Sequence, residues 1–186
     1  MENKHLAGLI KRMQSSFQKR DSFGLRELGN EAIEKAAMQN SKEIAGIALV
    51  AYCLHKLYSK QHIVRHVKWP AVRSSIGKNI DRALSAQQSG NVQGFEKSLE
   101  NVIKSIQSID RELGNYAQGL LEKARVKYAS SAYSLGLGLN QSTDLTGADR
   151  KEVLRYIGAT KMADREAVTF GIGERLQKLK KAIRGK

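Results

Sequence analysis

The sequence predicts an all-α protein, an antiparallel helical bundle ending in a C-terminal helical hairpin and a basic terminal helix. Three observations carry that expectation. Apolar residues recur at three- and four-residue steps along most of the chain, no stretch alternates with period two, and 186 residues contain one proline. Three- and four-residue steps mark helices and two-residue alternation marks strands, and long helices tolerate few prolines. The length suits one domain or a domain with an appended module, expected here as a bundle over 1–130 and a segment over 131–186 packed on it. A chain of this size buries roughly two-thirds of its unfolded surface, so its core needs no disulfide or metal.

The elements follow in order. Leu25, Leu28, Ala32 and Ala36 share one helical face. Ser41 is a natural N-cap for the next helix, whose residues Ile44 to Leu54 are apolar on most sides and therefore central. Trp69-Pro70 breaks the pattern, because the residue before proline is pushed out of the helical region. Pro70 then suits the first turn of a helix carrying Val72, Ile76, Ile80 and Leu84. Ser89-Gly90-Asn91 is a turn, followed by the strongest amphipathic pattern, Phe95, Leu99, Val102, Ile103, Ile106, Ile109 and Leu113. Gly114-Asn115 ends it, and Leu120, Leu121, Ala124, Tyr128, Ala132 and Leu135 predict another long helix. Leu28-Gly29 with Ala32 and Ala36 resembles one tetratricopeptide unit. Such arrays need about three copies at a 34-residue spacing to bury a continuous core, and a bundle fits better.

Charge narrows the function classes. The net charge is +14, divided as +2 over 1–54, +6 over 55–82, −1 over 83–119 and +7 over 120–186. Two basic zones flank a near-neutral middle, a distribution that concentrates polyanions. Nucleic acid is the expected partner, with duplex DNA favoured over RNA, because aromatic content is 6% and single-strand modules rely on aromatic stacking. The alternative is a non-catalytic helical scaffold for a protein partner, tetratricopeptide-like or antitoxin-like, with a basic face for an acidic ligand.

From Ser131 the texture changes. Gly136 and Gly138 end the long helix, Leu139 to Thr146 forms a short one, Gly147 turns the chain, and Asp149 to about Ala159 forms a second. That is a helix-turn-helix-like layout, with Leu139, Leu145, Val153 and Ile157 inside and Leu154 or Tyr156 packing on the bundle. Leu135-Gly136, Leu139, the run Ser142-Thr143-Asp144-Leu145-Thr146-Gly147 and Arg150-x-Glu152-Val153 resemble the helix-turn-helix of small prokaryotic antitoxin-like proteins. The resemblance covers about 30 residues and implies a prokaryotic, cytoplasmic DNA-binding regulator. Ser142 and Thr143 stand where that motif usually places two alanines, and a buried hydroxyl there needs a partner.

In such a motif the N-terminal part of the second helix enters the major groove. Arg150 would then contact a guanine through its planar fork. Lys151, Arg155 and Lys161 would bind phosphates, with Lys178 and Lys181 adding non-specific affinity from the basic terminal helix. Asp149 belongs at the helix N-terminus, where its charge favours the dipole.

Other chemistry finds little support. His62 and His66 are spaced i, i+4 as on a metal-binding helix face, yet no acidic residue lies between Glu43 and Asp81 to complete a site. They are expected instead to extend a basic surface with Arg65 and Lys68, beside Trp69. Cys53 falls in the apolar run and is expected buried and inert. Gly136-x-Gly138 and Gly171-x-Gly173 lack a preceding strand and the lysine of a phosphate loop. All four histidines lie within residues 5–66 and no elbow motif surrounds a serine. No enzyme, metal or cofactor is therefore expected. The longest apolar run, Ile44 to Leu54, is 11 residues against about 20 for a bilayer span. No secretory signal is recognised at the start.

Overall fold

A computed structural model describes residues 2–110 and 118–163, with side chains over 5–108 and 119–160. Among the described residues there are nine helices and no strand: α1 (Glu2–Gln18), α2 (Ser22–Gln39), α3 (Lys42–Tyr58), α4 (Gln61–Val64), α5 (Trp69–Gln88), α6 (Val92–Asp110), α7 (Gln118–Ser134), α8 (Leu139–Thr146) and α9 (Arg150–Ala163). The all-α bundle is thus the architecture of the chain. None of these helices is long and apolar enough to cross a membrane.

α3 is the central post. Ser41 caps it, its hydroxyl accepting from the Ile44 N–H at 3.3 Å, and twelve of its residues, Ala45, Val50 and Leu54 among them, are buried. It can be buried on nearly every side because Ile44 to Leu54 holds no charge. α2 lies beside it, α1 pairs with α5, α5 with α6, and α7 crosses α2 and α3. α1 is a helix beyond those expected, although Leu9, Ile10, Met13 and Phe17, all buried, step at the same helical spacing. Gly90, at φ +71°, turns α5 into α6, and the Asn91 carboxamide oxygen accepts from the Gly94 N–H. Cys53 is buried, and desolvation pushes its thiol up to about 12.

Two details differ from expectation. The chain leaves helical geometry at Ser59, before Trp69-Pro70, makes the single turn α4, and re-enters at Trp69, which is the first residue of α5 with Pro70 in its first turn. His62 and His66 therefore do not share a helix face: α4 ends at Val64, and His66 Nδ1 accepts from the Lys68 N–H at 3.3 Å. Trp69 is 4% exposed, edge-on to Tyr58, so it belongs to the core and not to the basic surface. The reason is tertiary. α1 and α5 need this corner to pack, and Tyr58 anchors it by donating to the Phe17 carbonyl at 2.8 Å.

Candidate nucleic-acid interface

The α8–α9 hairpin is assembled mostly from local interactions. α7 ends at Ser134, and Gly136, at φ +110°, redirects the chain. Gln141 folds back so that its carboxamide oxygen accepts from the Gly138 N–H at 3.1 Å. Ser142, Thr143 and Thr146 are buried, and their hydroxyls donate to the carbonyls of Gly138, Asn140 and Ser142 within the same turn of chain. Those bonds remove most of the cost of placing hydroxyls where apolar residues would pack. Gly147 closes α8 in the left-handed region, φ +68°, its N–H bonded to the Thr143 carbonyl at 2.8 Å. A side chain is disfavoured in that conformation.

Asp149 caps α9. Its Oδ1 accepts from the Lys151 and Glu152 N–H groups at 2.9 and 3.0 Å, satisfying two free donors of the first turn. Inward, α9 is held by Val153, fully buried, and by the half-buried Ile157 and Thr160. Outward, Lys151, Leu154, Arg155 and Gly158 share the opposite face, and all are exposed. Neither Leu154 nor Tyr156 is seated in the bundle, contrary to expectation: they are 51% and 41% exposed. Val153 and Ile157 already fill the contact with α7 and α8, and the helical period turns Leu154 away from them.

Of the residues expected to bind nucleic acid, Arg150, Lys151 and Arg155 are all exposed on the first turns of α9; Lys151 and Arg155 share a face, and Arg150 lies about 100° round the helix from Lys151. Arg155 also pairs with Glu152 at 3.0 Å, at 75% and 49% side-chain exposure; an ion pair so open contributes little to stability. The Lys161 side chain, Lys178 and Lys181 lie outside the described residues.

Beside the hairpin runs a groove that the sequence did not suggest. Its volume is about 730 Å3, and it separates α7 (Val126, Lys127) from α9 (Arg155, Tyr156), with Tyr52 of α3 at its side. The Lys127 ammonium lies 4.7 Å from the centre of the Tyr52 ring, and that of Lys56 lies 5.5 Å away. Burial first, then the neighbouring charges of Lys56 and Arg26, lowers the pKa of Lys127. The groove residues come from three helices far apart in sequence, so no spacing pattern could have gathered them. The one local hint was the pair of aromatics, Tyr156 directly after Arg155 and Tyr52 one helical turn before Lys56. Among the described residues no three of His, Cys, Asp and Glu could jointly hold a metal ion. No protein-family profile, curated protein or solved structure matches the chain.

Proposed function

We propose that the chain is a DNA-binding regulator of the prokaryotic, cytoplasmic kind, reading duplex DNA with α9 as the recognition helix of a helix-turn-helix. The observation that carries this is the outward face of α9. Arg150 and Lys151 open the helix, and Leu154 and Arg155 follow on its solvent side. Arginine offers a bidentate fork to guanine, an exposed leucine offers apolar contact to a thymine methyl, and lysine neutralises phosphate. The +7 of residues 120–186 supplies the long-range attraction.

The test is a titration of the full chain against selected and scrambled duplexes at several salt concentrations. Arg150→Ala is expected to cost about 1–3 kcal/mol on the selected duplex and relax preference at one base pair. Arg155 lies five residues further, about 7–8 Å along the axis. Its loss should weaken all duplexes alike and reduce the salt slope by about one. A wild-type chain that binds no duplex at low salt removes this function.

A further inference from the structure

We infer that the groove between α7 and α9 is a binding site for a flat aromatic anion, a ring system bearing a carboxylate or a comparable acidic group. The inference does not depend on whether α9 reads DNA. Size is the first argument: about 730 Å3 falls within the roughly 300–1,000 Å3 of small-molecule sites. Its walls supply the second. Tyr156, exposed on α9, and Val126 and Ala159 supply apolar wall, with the buried Tyr52 of α3 at its edge, which suits the face of a planar ring.

Charge selects an anion. The walls carry three carboxylates and three cations, Lys123, Lys127 and Arg155, and the carboxylates have partners within the protein. Asp149 caps α9, Glu122 pairs with Arg125 at 2.7 Å, and Glu152 pairs with Arg155 at 3.0 Å. Lys123 and Lys127 also line the groove, and neither has an ion-pair partner among the described residues. Lys127 is half-buried against Tyr52, with the Lys56 ammonium over the same ring. Cations crowded this way repel one another in a partly desolvated place, and the pKa of Lys127 is lowered by that burial first and by the charges of Lys56 and Arg26 second. A ligand acid group beside Lys127 relieves that repulsion, while the ligand ring lies on Tyr156 and Val126, the accessible apolar surface of the groove.

Calorimetric titration of the full chain with three probes tests this: 2-naphthoate, 2-naphthylmethanol for the ring without the charge, and inorganic phosphate for the charge without the ring. Naphthoate should bind at least about tenfold more tightly than either of the others. Its binding should shift the NMR signals of the Val126 methyls. Lys127→Gln should weaken naphthoate about fivefold or more while leaving naphthylmethanol within about twofold. Lys97→Gln, on α6 and outside the groove, should change neither. The discrimination among probes by the wild-type chain decides the matter even if a variant fails to fold. Equal affinity for naphthoate and the alcohol, equal affinity for phosphate, no shift at Val126, or no binding of naphthoate at millimolar concentration would each overturn the inference.

Discussion

The α2–α3 and α8–α9 hairpins share a plan, two helices joined through a left-handed residue, Asn40 in one and Gly147 in the other, but they are held by different forces. In α3 twelve residues are buried and the helix is gripped from most sides. In α9 Val153 is the one fully buried side chain among those described, and α8 buries three hydroxyl residues beside Leu145. Burial of apolar area stabilises the first hairpin. Caps and side-chain-to-backbone bonds organise the second: Gln141 onto Gly138, Asp149 onto Lys151 and Glu152. A helix with one face open to solvent has little burial to hold it, and local hydrogen bonding then fixes the geometry that packing does not.

The same substitution placed in each hairpin should separate the two most sharply. Leu54→Asp puts a carboxylate at a position of 0% exposure in the middle of α3. Burying it unpaired costs several kcal/mol against a total stability of about 5–15 kcal/mol, and the protein should lose its cooperative melt. Val153→Asp is equally buried, at 0%, but α9 can peel away with its few contacts. That variant should keep a cooperative melt at lower temperature, with faster amide exchange confined to α9. Identical global unfolding in both variants would erase the distinction.

The next effect probes how tightly α2 and α7 pack against each other beside the central post. Gly29 of α2 faces the Tyr128 hydroxyl of α7 so closely that a methyl group would collide with it. That hydroxyl is buried and has no hydrogen-bond partner among the described residues. Gly29→Ala should therefore destabilise by about 1–3 kcal/mol through overpacking. Tyr128→Phe should be neutral or slightly stabilising, because it removes an unsatisfied polar group. The double variant should recover much of the loss, a coupling of about 0.5–3 kcal/mol. Additive effects in denaturant melts would mean that the two residues do not meet.

Cap removal measures the local term. Ser41→Ala and Asp149→Ala each delete an N-cap, worth about 0.5–2 kcal/mol where the helix depends on it. α3 has burial in reserve and α9 has little, so amide exchange should quicken in α9 after Asp149→Ala more than in α3 after Ser41→Ala. The reverse order would show that packing, and not the cap, holds α9.

These local devices are also what the sequence made legible. Ser41, the Ser89-Gly90-Asn91 turn, the limits of α8 and the role of Gly147 were read from neighbouring residues, and the structure has them where expected. The causes act within one helical turn, so the order of residues carries them. The corner at α4 was missed because no glycine marks Ser59 to Lys68; packing of α1 against α5 makes the bend. The outward position of Leu154 depends on which face α7 and α8 take, and the groove depends on α3, α7 and α9 meeting. Neither is encoded in any one stretch.

The smallest predicted effect sits where α2 meets α3. His55 is half-buried, and its Nδ1 lies 2.9 Å from the Ser22 carbonyl oxygen, to which a neutral ring carrying the Nδ1 proton donates. Desolvation lowers its pKa from 6.5; the bond to Ser22 opposes that, and Lys56, Arg26 and Lys127 add to the lowering. The unfolded chain then takes up this proton before the folded chain does. Stability from the neutral ring is complete above the unfolded value near 6.5 and is lost as pH falls through the lower folded value. Denaturant midpoints should accordingly decline modestly from pH 7.5 to 5.5 in the parent, and the decline should shrink in His55→Gln. Because the ring is partly exposed the change should be small, and it should shrink further in Lys127→Gln, which removes one of the repelling charges. A parent and a His55→Gln variant with the same slope across that range would show that this contact does not link α2–α3 stability to pH.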